Sequence, residues 1–184
     1  MKISLITITY PPEIGGAAHL ISDLALSLHT RGNQVTVFTC YPKYNLKEIP
    51  HPYRRGIRME EVQNGISVCR IRTPAFSRKS KFARGIEHFV YGILLAFLTL
   101  FAPRSDVAMV YSPPLPVPWF ICLLGKLRRI PIVVNIQDLF PREAIELGML
   151  TNPILIRLFE AMERQVYRMA VGITVHSPGN KENT

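Results

Sequence analysis

Apolar residues recur along this chain in two rhythms. Short runs rich in Val, Ile and Thr occur at residues 3–9, 34–40, 107–111, 130–136 and 171–175. Runs of that length, bounded by Pro, Gly or polar residues, suit strands buried on both faces of a parallel sheet. Between them the spacing becomes helical. Leu20, Ile21, Leu24, Ala25 and Leu28 recur with Ser22, Asp23 and Ser27 between them, and Gly32 stops the run. Residues 3–40 therefore read as one βαβ unit.

Residues 41–58 are polar and carry Pro42, Pro50 and Pro52, which predicts a loop. The stretch RMEEVQNGISVCRIRT reads as two strands about Asn64-Gly65, the dipeptide a type I′ hairpin turn favours. Residues 82–102 predict a long apolar helix ended by Pro103. PPLPVP opens another helix through about residue 128. A short helix is expected over 142–148. A longer one over 153–169 starts with Pro153 in its first turn. The fold class is therefore α/β: a doubly wound, mostly parallel Rossmann-like sheet with an inserted β-hairpin. Ligands of such sheets bind at the carboxyl ends of the strands. Here those ends are the loops at 10–16, 111–114, 137–141 and 176–179.

Composition narrows the chemistry. The 184 residues are 48% hydrophobic and 19% charged, enough to bury a core as one domain. The mean hydropathy of +0.16 is high and hints at membrane contact. Lys and Arg number 22 against 13 acidic residues, a formal net charge of +9. That excess calls for an acidic counterpart: nucleic acid, anionic lipid or phosphorylated small molecules. The basic residues are not interleaved with aromatics as in an RNA platform, and no recognition-helix motif occurs, so no nucleic-acid partner is expected. Cys40, Cys69 and Cys122 are far apart and odd in number, without CxxC or Cys/His metal spacing. A reducing compartment is expected, with neither a disulfide framework nor a metal site. The amino-terminal apolar run breaks at Pro11-Pro12 and reads as a strand rather than a signal peptide.

The first strand-to-helix loop separates subclasses of nucleotide-handling folds. It lacks GxGxxG, strand two ends in Thr39-Cys40-Tyr41 with no acid for a ribose, and no Walker lysine is present. These absences disfavour NAD binding and P-loop chemistry. What remains is Gly15-Gly16 feeding a helix amino terminus, where missing side chains admit a ligand to the backbone and the helix end favours an anion. A tight turn alone would equally account for the pair.

YPPEIGGAAHLISDLALSLHTRGNQVTVFTCYP resembles the opening of family-four glycosyltransferases of the GT-B fold. NIQDLFPREAIELGML and ITVHSPGNKENT resemble two later signatures of the bacterial capsule and exopolysaccharide branch. The resemblance implies the N-terminal, acceptor-side Rossmann-like domain, spanning residues 1–184. It also implies a C-terminal domain, not in this sequence, that binds the nucleotide-sugar and carries an E-x7-E type motif. The implied reaction is retaining transfer of a sugar, with the nucleotide-sugar as co-substrate and no other cofactor or metal. The chain by itself is expected to be inactive. The alternative is a non-catalytic membrane-associated α/β module, or one subunit of a split transferase.

Within this frame Gly15 and Gly16 are expected to approach the donor phosphates. His19, one turn on, is a candidate phosphate or acceptor contact. Asp138 is the candidate catalytic residue, orienting an acceptor hydroxyl, with Gln137 beside it where relatives carry His. As Asp it equally suits the N-cap of the following helix. Ser112 and Ser177 are candidate linings of the acceptor site. Glu143 is better explained by the helix dipole. The fourteen uncharged residues 89–102 fall short of the ~20 that span a bilayer. Residues 62–86 contain no acid but carry Arg70, Arg72, Arg78, Lys79, Lys81 and Arg84. A basic flank beside an apolar helix suits peripheral attachment to an anionic membrane surface. That places the expected site of action at the cytoplasmic face of the inner membrane, on a glycan or lipid-linked acceptor.

Overall fold

The computed structural model describes residues 1–43, 45–46, 48–74 and 81–175, without side chains at 81 and 82. The alternating rhythms fold into one seven-stranded sheet in the order β3-β4-β2-β1-β5-β6-β7. The chain runs through β1 (Lys2–Ile6), α1 (Gly16–Thr30), β2 (Gln34–Cys40), a 3-10 turn (His51–Arg54), β3 (Arg58–Gln63) and β4 (Ile66–Ile71). It continues through α2 (Lys81–Leu100), β5 (Val107–Ser112), α3 (Pro116–Arg128), β6 (Ile132–Ile136), α4 (Arg142–Glu146), α5 (Pro153–Met169) and β7 (Gly172–Val175). All neighbouring pairs are parallel except β3 with β4.

The hairpin forms as expected, with Asn64 at φ 52° and Gly65 at φ 81°, the positive pair that a type I′ turn requires. Its two strands extend the main sheet. β4 joins the parallel sheet beside β2, and β3 is its antiparallel edge. β1 stops at Ile6, short of the expected Thr9. Thr7 Oγ1 donates to the Thr9 carbonyl (3.0 Å) and accepts from the Thr9 amide (3.3 Å), so a local side-chain turn replaces the ladder. α5 starts where Asn152 caps the amides of Ile154 (2.9 Å) and Leu155 (3.3 Å) ahead of Pro153.

The sheet has two unequal coats. α1 packs on one face, closing Ile21 and Ala25 over Leu5, Val35, Val37, Ile66 and Val68. α2, α3 and α5 cover the other, where Leu95, Ile121, Met162 and Val166 meet Ile6, Phe38, Val110 and Val134. α2 and α3 touch closely at Gly92. A Cβ there would fall 2.6 Å from Phe120 Cδ2 and 2.8 Å from the Pro116 carbonyl oxygen. Burial of these two coats supplies the main driving force for the fold.

Candidate functional site

β1 and β5 are neighbours, yet the chain leaves them in opposite directions: β1 toward β2 and β4, β5 toward β6 and β7. Loops at such a switch point diverge and leave a crevice at the carboxyl ends of the strands. Gly15, Gly16 and His19 follow β1, Ser112 closes β5, and Gln137 and Asp138 follow β6. These strands are consecutive in the sheet, so six of the seven expected site residues share one rim, across about 10 Å at the usual strand spacing. The seventh, Ser177, lies outside the described residues.

Gly15 has an extended φ of 172°, which any residue adopts. A Cβ built at Gly15 or Gly16 meets nothing within 4 Å. Neither the turn nor the packing of this domain requires glycine at these positions, and the pair borders open space. No side chain caps α1, and no acid occupies its first turn. His19 is exposed on that turn.

Asp138 is exposed on the rim. It is not the N-cap of α4. That position is Pro141, without a side-chain cap, and the Glu143 carboxylate instead accepts from the Leu139 amide at 3.1 Å. The charge of Asp138 reaches Tyr111, whose hydroxyl is pushed above its ordinary pKa first by burial and then by this carboxylate. Gln137 ties the ends of β5 and β6 together. Its amide donates to the Ser112 carbonyl (3.0 Å), and its side chain donates to Asn135 Oδ1 (2.6 Å). Ser112 is only 6% exposed, so it offers the rim little surface.

The loop that presents Gly15 is anchored by buried charged side chains. Arg70, expected in a solvated basic flank, is 0% exposed. Its Nε donates to Glu61 Oε1 at 2.6 Å, its Nη1 to the Cys40 carbonyl at 3.3 Å, and its Nη2 to the Pro11 carbonyl. The Tyr53 ring lies 5.1 Å from the guanidinium, and the Tyr53 hydroxyl donates to Glu61 Oε2 at 2.9 Å. A fully buried charge persists only when so satisfied. The signal was present: strict alternation in β4 puts Arg70 on the same face as Ile66 and Val68. Arg72 likewise serves the fold, donating to the carbonyls of Gly56 (2.6 Å) and Tyr53 (3.0 Å). Arg78 and Lys79 lie outside the described residues. Glu13, buried in the same loop, accepts from the Lys43 amide at 2.8 Å and holds the loop after β2 against that after β1.

A slot of about 70 Å³ opens between the first turns of α2 and the rim, lined by Gly85, His88, Phe89, Pro113, Phe140 and Phe159 among others. Periodicity alone could not find it, because it joins four distant segments. A broad hollow of about 650 Å³, lined by Lys2, Gln34, Arg104 and Arg129 among others, sits at the opposite, amino ends of the strands. No group of three or more His, Cys, Asp or Glu among the described residues stands where it could hold a metal ion.

Comparison with solved structures places this arrangement. The chain aligns with LpCGTa in complex with UDP at a TM-score of 0.53 and 14% identity, covering 96% of this chain and 47% of that one. It also aligns with Anabaena Alr3699/HepE in complex with UDP and glucose (TM-score 0.42, 14% identity, 98% and 48% covered). A third alignment is with the catalytic domain of starch synthase IV from Arabidopsis thaliana bound to ADP and acarbose (0.48, 15%, 74% and 34%). The chain thus spans about a third to a half of the length of these structures. The LpCGTa likeness shows the fold, consistent with the N-terminal Rossmann-like half of a GT-B glycosyltransferase. No curated protein is matched by sequence. The model of the glycosyl transferase 4-like domain matches residues 15–183, from the glycine pair through the last strand, and the chain belongs to that family.

Proposed function

We propose that this domain is the acceptor-side half of a glycosyltransferase. It moves a sugar, with retention of configuration, from a nucleotide-sugar to a glycan or lipid-linked acceptor in cell-surface polysaccharide synthesis at the cytoplasmic face of the membrane. The observation that carries this reading is the Gly15-Gly16 pair. It opens a helix amino terminus at the sheet's switch point, and neither its backbone nor its surroundings require glycine. Backbone amides there suit the phosphates of a donor held by a second lobe.

Transfer breaks the bond between the sugar's anomeric carbon and the donor phosphate and forms one to an acceptor oxygen. The acceptor proton leaves as that bond forms, and the departing phosphate can take it. Asp138 then acts by accepting a hydrogen bond from the acceptor hydroxyl and orienting it. His19 and Gln137 flank the reacting groups. The apolar slot beside Pro113 suits the non-sugar part of an acceptor. The nucleotide-sugar is a co-substrate, and no further cofactor or metal enters the scheme.

The test uses the whole protein with radiolabelled nucleotide-sugars and a membrane lipid extract as acceptor. Asp138→Ala should lower kcat by about a hundredfold or more. Unchanged turnover would remove Asp138 from the site. Gly15→Val should leave the thermal transition within about 2 °C while raising the KM for donor. Equal loss of stability and activity would reduce the pair to a turn.

A further inference from the structure

Helix α2 is long and apolar enough to cross a bilayer, since residues Ala83–Leu100 have a mean hydropathy of 1.3. It cannot leave the fold to do so. Its inner stripe is core, with Tyr91 at 1%, Leu95 at 0% and Leu98 at 3% exposure. Its Glu87 receives hydrogen bonds from Lys43 (2.8 Å) and Tyr91 (2.6 Å). Yet the side turned away from the sheet is also apolar. Ile86, Ile93, Phe97, Leu100 and Phe101 follow one another at helical spacing, and all are exposed. The adjoining α3 adds exposed Leu123 and Leu127. Nothing among the described residues covers this strip.

Its charges are mostly of one sign. Over residues 83–105 and 113–137 the only acidic side chain is Glu87, which is buried. The exposed ions around the strip are Arg84 at the rim end of α2 and Arg104, Lys126 and Arg129 at the far end, where Asp106 is the one exposed acid beside three cations. A second copy of the chain would bring two positive collars together. An acidic, apolar sheet of matter fits both features at once.

We propose that the outer strip of α2 and α3 is a monotopic docking surface for an anionic lipid leaflet. The helices lie in its plane, Phe97, Phe101 and Leu127 enter the acyl boundary, and Arg104, Lys126 and Arg129 meet the headgroups. α2 starts at the carboxyl rim, so docking brings the Phe89–Phe140 slot beside the bilayer. That last consequence rests on the proposed lipid-linked acceptor; the docking itself does not.

The test is flotation of the purified protein with phosphatidylcholine vesicles, with and without 30% phosphatidylglycerol as a probe mixture, and no sugar donor. The protein should float with the anionic vesicles and weaken with salt. Phe97→Asp with Phe101→Asp should reduce partitioning by about tenfold or more, with the circular-dichroism melt unchanged. Lys126→Glu should cost about fivefold or more on anionic vesicles and little on neutral ones. Phe97→Trp, in a Trp119→Phe background, should bind as before and be quenched by brominated lipid. Equal binding to neutral vesicles, or an unquenched Trp, overturns the proposal. So does a concentration-dependent dimer or an acidic protein partner that the Asp variants abolish while vesicles are ignored. A protein that transfers sugar to detergent-solubilised acceptor but never floats leaves the transferase reading standing and the docking surface refuted.

Discussion

α2 and α5 pack on the same face of the sheet, yet their outer sides are opposite in chemistry. α5 buries Met162 and Val166 and turns Arg157, Arg164 and Arg168 to solvent, with apolar residues exposed only in its first turns at Ile154, Leu155 and Leu158. α2 does the reverse. It keeps an ion, Glu87, on its inner side and presents Ile93, Phe97 and Leu100 outward. Folding asks only that the inner stripe be apolar. α5 therefore needs no explanation beyond the fold, whereas the outer half of α2 does.

The largest effect that would sharpen this contrast is on the inner stripe. Leu95→Ala should destabilise the domain by about 3 kcal/mol in urea unfolding, whereas Phe97→Ser, two residues on, should stay within about 0.5 kcal/mol. A comparable loss at both would make the outer strip part of the core.

Next is Glu87. Burial raises its pKa, but the Lys43 and Tyr91 hydrogen bonds and the Lys43 charge bring it below the ordinary 4.5. Its contribution is thus full above about pH 4.5 and is lost as pH falls through the folded-state value. Glu87→Gln should cost about 2 kcal/mol at pH 7 and progressively less in acid. A penalty independent of pH would mean that the pair acts by packing alone.

Glu163 on α5 has the opposite sign. Burial pushes its carboxyl up and the Glu160 charge adds to that, against the 2.7 Å hydrogen bond from Tyr167 and the charge of Arg164. Its contribution is full below the unfolded value and is lost as pH rises through the folded one. Glu163→Gln should therefore raise the melting temperature at pH 7 slightly and leave it unchanged at pH 3. A fall at pH 7 would show that the Tyr167 bond outweighs burial.

Smallest is Arg164→Ala. It removes the Glu160–Arg164 contact of 3.9 Å, in which Arg164 is 59% exposed. The cost should be no more than about 0.5 kcal/mol, and a larger one would mean that the polar side of α5 is held by more than solvent.

Much of this organisation is legible in one dimension. β2 is found at its expected bounds, and the Asn64-Gly65 turn is the one its backbone angles require, because both rest on contacts between near neighbours. The rim is legible too, since a βαβ chain must return its strand ends to one edge. Arg70 was misread. Charge composition suggests solvent, while the two-residue period points inward, and only Glu61, Pro11 and Cys40 arriving from three other segments decide for the interior. The slot lined by Phe89, Pro113 and Phe140 has the same origin.

By itself, then, the sequence determined the alternation of strands and helices, the hairpin turn, the rim on which Gly15, Gly16 and Asp138 sit, and the family. These follow from periodicity and local backbone preference. The tertiary structure alone decided which charges go inside, that the glycine pair borders open space, and that the described residues leave the outer half of α2 uncovered. Those depend on which distant segments meet, and no local period records that.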